Sequence, residues 1–309
     1  MLCPEDSQIN GQNRSQSDRL SGEVSPGIAR SEGGKAMSDS DSGYQFASGD
    51  ELARLEVQGR ALGPATRMIF AAAGIRPGMR VLDLGCGVGD VALVAADLVG
   101  PDGHVVGVDS WPEALARARL RAEQAGLAQV RFVEGDIHDP APGGPFDAIV
   151  GRLVLMHLPD PVAVLRRQAT VLRPGGLVVP IEHDIQTTRS LPPTPLVSQA
   201  VAWLIEAFAK AGIPAIGPRL WGVLREAGLR PLGMIGVQPH FGPDDPAAVA
   251  LAEGVIRAVA PLIERTGMAT AEEIGVETFG QRLRDELQRN SAVLAPAILL
   301  SAWATTNPE

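Results

Sequence analysis

The stretch Val81–Asp90, Val-Leu-Asp-Leu-Gly-Cys-Gly-Val-Gly-Asp, restricts the fold more than any other part of this chain. A turn signal, Pro77-Gly78, precedes a short apolar run, Val81-Leu82. Gly85, Gly87 and Gly89 follow, and an apolar helical pattern then runs from Val91 to Val99. That order reads as strand, tight loop, helix. Glycine tolerates φ > 0 and leaves the backbone bare for a ligand to lie against. The helix behind the loop offers unpaired N–H groups and a partial positive charge.

A dinucleotide-binding loop on such a fold is spaced G-x-G-x-x-G. Here the spacing is G-x-G-x-G, with Asp83 two residues before the first glycine. The string resembles the first motif of class I S-adenosylmethionine (SAM) methyltransferases. The resemblance implies that Gly85, Gly87 and Gly89 face the methionine part of SAM, and that Asp83 helps hold its amino end. An ordinary strand-to-helix turn is the alternative for the glycines taken alone.

The acids that follow repeat the pattern. His104–Val108 reads as a second strand ending at Asp109, twenty residues past Gly89. A nucleotide fold places an acid there to hold ribose hydroxyls. One carboxylate accepts two charge-assisted bonds from a diol; as a bland alternative, Asp109 caps the helix Pro112–Gln124. Ser110 adjoins it in the same cofactor-binding stretch, and Trp111 is placed to cover the adenine face. After a third strand, Val130–Val133, the resemblance implies that Asp136 meets the adenine amino group and that Ile137 offers a backbone N–H and side-chain cover.

Phe146–Val150, introduced by the turn Pro142–Pro145, runs into Gly151-Arg152-Leu153-Val154-Leu155-Met156-His157-Leu158-Pro159. This resembles the motif of small-molecule methyltransferases in which the strand end passes beside the methyl group. It is not the Asn-Pro-Pro-Tyr type of enzymes that methylate DNA bases or amides. Arg152 is a candidate for the SAM carboxylate or an acidic substrate, with a surface ion pair as the alternative. Asp160-Pro161 should cap a helix to Val171, followed by a turn at Arg173–Gly176 and a fifth strand, Leu177–Ile181. His157, His183 and Asp184 follow strands four and five, the ligand edge of such a sheet, so they are candidate general bases. For each, a structural hydrogen bond is the competing reading.

The implied fold is α/β: a doubly wound, seven-stranded, mostly parallel sheet with an added helical cap. Residues 1–43, rich in Ser, Gly, Gln, Asp and Arg, are expected to be disordered, and Met37 is a second candidate start. Residues 44–75 should form lid helices, with a helix from Glu51 broken or kinked at Gly63-Pro64. Tyr44, Arg54 and Gln58 are its candidates for covering the cofactor. Residues 76–184 form the core. Residues 185–309 add the cap, the last sheet-covering helix (Arg219–Ala227) and two strands, Arg230–Gln238 and Ala297–Thr305. Cap helices are expected from Pro195 to Lys210, from Pro246 to about Arg265, and beyond the capping-box pattern at Thr270–Glu273. Trp203 and Phe208 are candidate walls of an apolar acceptor pocket.

Charge and cysteines limit the partners. A net charge of −9 disfavours a nucleic-acid substrate. No apolar run looks long enough to cross a bilayer, so no membrane partner is expected. Cys3 and Cys86 are the only cysteines, which fits a reducing cytoplasm rather than a disulfide framework. No His, Cys, Asp or Glu spacing suggests a metal. The expected function is methyl transfer from SAM to a small, partly apolar molecule, at oxygen, nitrogen or carbon. The cap suits an enclosed substrate site or a homodimer surface. A nicotinamide-dependent oxidoreductase and a non-catalytic SAM-binding module are the rival readings.

Overall fold

A computed structural model describes residues 49–306. The elements are α1 (Gly49–Ala73), β1 (Arg80–Leu84), α2 (Asp90–Val99), β2 (His104–Asp109), α3 (Pro112–Gln124), β3 (Val130–Glu134), β4 (Phe146–Arg152), α4 (Pro161–Gln168) and β5 (Leu172–Asp184). There follow β6 (Arg189–Leu191), α5 (Pro195–Lys210), α6 (Leu220–Glu226), β7 (Arg230–Val237), α7 (Pro246–Arg265), α8 (Ala271–Ile274), α9 (Val276–Arg289), β8 (Val293–Ala295) and β9 (Ile298–Thr305). The tail, Tyr44 included, lies outside the described residues.

Seven strands form one sheet in the order β3-β2-β1-β4-β5-β9-β7. β1 to β5 are parallel neighbours, and β9 runs antiparallel to both β5 and β7. The fold is therefore the doubly wound, mostly parallel sheet expected from the sequence. The strand order reverses between β1 and β4, and a ligand crevice opens at such a switch point, beyond the carboxyl ends of the strands. β6 and β8 pair separately as a two-stranded antiparallel sheet that the sequence reading did not anticipate.

Local capping chemistry fixes several helix starts. Asp160 accepts from the Ala163 amide at 2.8 Å, and Asp245 from the Ala247 amide at 2.9 Å. Pro161 and Pro246 occupy the first helical positions, where a missing N–H costs no hydrogen bond. Thr270 and Glu273 form the expected capping box.

Three expectations need correction. α1 is one continuous helix of 25 residues with Pro64 inside it. Proline there removes one backbone bond, but Leu62, Ala65, Ile69 and Phe70 bury on the same side and hold both halves to one surface. Secondly, Arg173–Gly176 lies within β5 as an irregularity, where pairing with β4 shifts between Phe146 and Ala148. Thirdly, α7 is by length and mean hydropathy (1.6) sufficient to cross a bilayer. Its Ala, Val and Leu content gives that hydropathy because this is a packing helix, set against α1, α5 and α9.

The apolar interior has two parts, one on each sheet face. One cluster joins α1, α2 and α3 to α5, α7 and α9 without a break. The other lies under α4 and α6 and includes Leu155 and Leu165. Of the helices inserted between β7 and β9, α7 packs on α1, and α1 in turn lies against β5, β7 and β9.

Candidate functional site

The glycine loop turns sharply at the end of β1. Gly85 has φ 61° and Gly89 has φ 85°, a left-handed backbone that a Cβ would strain. Space forbids a side chain as well. A Cβ on Gly85 would sit 2.8 Å from Val154 Cγ2, and one on Gly89 would sit 2.9 Å from the Phe132 ring. The loop is thus clamped between the segment after β4 and the α3–β3 layer.

Asp109 ties this loop to the end of β2. Its Oδ2 accepts from the Gly87 amide at 2.7 Å and its Oδ1 from the Trp111 amide at 2.9 Å. A carboxylate has about four acceptor sites, so some capacity remains beyond these amides and that of Ser110. Burial pushes its pKa up, against the pull of the Gly87, Trp111 and Ser110 amides. Asp109 thus organises the turn, but it does not cap α3, whose N-cap is Trp111 without a side-chain hydrogen bond.

Asp83 is completely buried, and neither carboxylate oxygen has a hydrogen-bond partner. Burial raises its pKa well above the carboxylate range. The Arg152 charge and the Ala92 amide dipole pull the other way, and Asp109 adds to the rise. A bare carboxylate at the foot of a glycine loop is costly unless a donor comes to it.

Arg152 turns inward. Its Nη1 donates to Thr66 Oγ1 of α1 at 2.9 Å, and its charge faces Asp90 and Asp83. Asp90 in turn accepts from Arg121 Nη2 at 2.6 Å, and Arg121 also reaches the Val88 carbonyl at 2.6 Å. Burial nevertheless leaves the Asp90 pKa raised. A Cβ on Gly59 would collide with the Asp90 carboxylate at 2.0 Å, so α1 lies directly on the start of α2. Glu51, Arg54 and Gln58 form a linked group on α1: Arg54 donates twice to Glu51 and once to Gln58, each at 2.6 Å.

On the far side of β2, Ser110, Glu134, Gly135 and Asp136 line an open cleft of about 300 Å³. Asp136 Oδ1 is engaged by the His138 amide at 2.8 Å and lies 2.7 Å from His138 Nδ1, and these bonds lower its pKa. Ile137 is held by its carbonyl, which accepts from Gln168 Nε2 at 2.7 Å.

His157 ends a 3-10 turn, Leu155–His157, and its charge interacts with His183 and Arg54. Crowding of the ring, then those two charges, lowers its pKa, although its outer edge is open to solvent. Burial also lowers the pKa of His183. Asp184 is accounted for locally: its Oδ1 accepts from the Gln186 amide at 3.2 Å and caps a short turn. Trp203 is buried within the main apolar cluster, with Phe208 half-buried against it. Among the described residues, no three His, Cys, Asp or Glu side chains gather closely enough to hold a metal ion.

The sequence reading passed over Thr66, Arg121 and Glu182. Glu182 had one visible signal: a carboxylate continuing the apolar run Leu177–Ile181.

Residues 75–210 match the family model described as a methyltransferase domain. The chain is 35% identical over 179 residues to nocamycin O-methyltransferase of Saccharothrix syringae, covering 56% of this chain and 60% of that one. It is 37% identical over 129 residues to aklanonic acid methyltransferase of a Streptomyces species, covering 40% and 59%. The match to demethylmenaquinone methyltransferase of Listeria welshimeri is 34% over 109 residues, covering 35% and 46%. The chain thus spans 60% or less of the length of each of these relatives. A solved structure described as a methyltransferase from Bacillus halodurans superposes with a TM-score of 0.50 at 18% identity, covering 79% of this chain and 99% of that one, a likeness of fold.

Proposed function

We propose, from the match of residues 75–210 to the methyltransferase-domain model and from the motif Asp83–Gly89, that the protein is a class I SAM-dependent enzyme that methylates a small, partly apolar molecule. The observation that carries this reading is Asp83. Its buried, partnerless carboxylate lies at the foot of a glycine loop at the sheet's switch point, and it suits the ammonium group of SAM. Asp109, whose carboxylate keeps acceptor capacity beyond its amide bonds, suits the ribose diol. Ser110, Trp111, Asp136 and Ile137 suit the adenosine end, beside the open cleft. When bound, SAM supplies an electrophilic methyl group on a sulfonium.

The chain's own residues then position, shield and accept a proton. Holding two reactants in line is worth about 7–11 kcal/mol in favourable cases. α1 lies over the loop, with Leu55 3.8 Å from the place a Gly87 Cβ would take, and so keeps water from it. Arg152 reaches Thr66 of α1 through Nη1, and its other N–H donors suit the SAM carboxylate. His157 and His183 are the candidate bases. Lowered pKa values keep both rings neutral at pH 7, the form able to take a proton from a hydroxyl acceptor. The names of the relatives, nocamycin O-methyltransferase and aklanonic acid methyltransferase, support an organic acceptor of this size. The cysteine usage supports a cytoplasmic setting.

Calorimetry with SAM and with S-adenosylhomocysteine tests the cofactor, followed by a methyl-transfer screen of aromatic, terpenoid and polyketide acceptors. Binding with turnover of at least one acceptor is expected. A folded protein that binds neither compound overturns the reading.

A further inference from the structure

We infer that Glu182 is a positioning residue: from the end of β5 it holds the segment Leu153–Leu158, and through it both the glycine loop and His157, in register. The inference rests on the methyltransferase reading for its functional part, and on geometry for the rest.

Glu182 is buried, and its Oε1 accepts two backbone amides, from Val154 at 3.0 Å and Leu155 at 2.7 Å. Those amides open the 3-10 turn Leu155–His157 and have no partner within so short a turn. The residue just before them, Leu153, has φ 59°, a left-handed conformation that a branched side chain takes only when its surroundings impose it. The Leu153 amide donates to the Ile181 carbonyl at 2.8 Å, so adjacent residues of β5 hold the strained turn at consecutive points. Val154 Cγ2 lies where a Gly85 Cβ would fall, and the turn's last residue is His157. One carboxyl group thus sets the contact on the cofactor loop and the placement of a candidate base.

Its other oxygen, Oε2, has no partner. Glu182 also borders a small apolar cavity of about 10 Å³, lined by Leu84, Ile149, Gly151, Leu155, Val178 and Pro180 among others. That is room for at most about one water. Interior packing alone would place leucine here. A carboxyl that holds two amides with one oxygen, at the cost of leaving the other bare, fits a positioning role.

The test compares Glu182→Gln, which keeps an acceptor oxygen, with Glu182→Leu, which does not. Amide hydrogen exchange is followed across β4, the 153–158 segment and β5, and S-adenosylhomocysteine affinity is measured by calorimetry. In the leucine variant, exchange at Val154 and Leu155 should rise by about tenfold or more, the scale of losing hydrogen bonds to a buried acceptor. S-adenosylhomocysteine affinity should fall with it, and the glutamine variant should restore both. Unchanged exchange at 154–155 in a folded leucine variant overturns the inference. If the leucine variant does not fold, Glu182→Asp, one methylene shorter, takes its place. A rise confined to 153–158 supports the positioning role, and protection lost evenly across β4 and β5 overturns it. If wild type itself binds no S-adenosylhomocysteine, the methyltransferase reading fails while the exchange result still decides Glu182.

Discussion

Glu182 also makes a quantitative prediction about stability and pH. Burial pushes its pKa from 4.5 up to about 8, against the pull of the Leu155, Val154 and Met156 amides. In the unfolded chain the side chain ionises near 4.5; in the folded protein it stays protonated until about 8. Between those values the folded state binds the extra proton, so stability falls as pH rises. It is fully present below pH 4.5 and lost by about pH 8. Each pH unit in this window costs about 1.4 kcal/mol. From pH 4.5 to pH 7 the wild type therefore forfeits about 3 kcal/mol through this one group. Glu182→Gln cannot ionise and keeps an oxygen for the two amides. The difference in unfolding free energy between variant and wild type should then grow in the variant's favour by about 2.5 kcal/mol between pH 5 and pH 7. Urea denaturation at several pH values from 5 to 8 measures it, and subtracting the wild type removes every other titrating group. A difference that stays flat over that range would refute the buried, proton-holding carboxyl.

Further predictions concern the cofactor loop and the cap. Asp109→Ala should weaken SAM binding by about 1–3 kcal/mol, because it removes diol acceptors and frees the Gly87 and Trp111 amides; calorimetry on the folded variant measures it. Asp83→Asn should raise the melting temperature of the ligand-free protein at pH 8, by removing a buried ionisable group without partners, yet weaken S-adenosylhomocysteine about tenfold or more. Gly85→Ala should reduce both stability and cofactor affinity, because φ is 61° and Val154 Cγ2 lies 2.8 Å from the new Cβ; thermal denaturation expects a loss of about 1–3 kcal/mol. Phe279→Ala, in the buried interior of α9, should cost about 3–5 kcal/mol of stability if the cap and α1 unfold together, and a separate low-temperature transition would show that they do not.

Local chemistry in the sequence determined the glycine loop, several helix starts and the element order apart from β6 and β8. A three-residue reach from Asp160 to Ala163, or from Thr270 to Glu273, is the same whatever the rest of the chain does. Asp109 is tied in both ways: locally to the Trp111 amide, and across 22 residues to the Gly87 amide.

What tertiary structure alone decided is where long side chains and bare carboxyls find partners. Arg152 read as a ligand-facing residue, and only the fold shows that one of its nitrogens also reaches Thr66 of α1, 86 residues away. Asp136 read as free for adenine, yet one of its oxygens is shared with His138, through a loop conformation that composition does not encode. Pro64 read as a break, and burial of α1 against the sheet and α7 overrode it, because packing along a whole helix outweighs one lost backbone bond. Glu182 read as the end of a strand. Its part emerges only when β5 lies beside β4, bringing two amides 28 and 27 residues distant onto one oxygen. A hydrogen bond specifies a partner by position in space, and hydrophobic periodicity carries no record of that position.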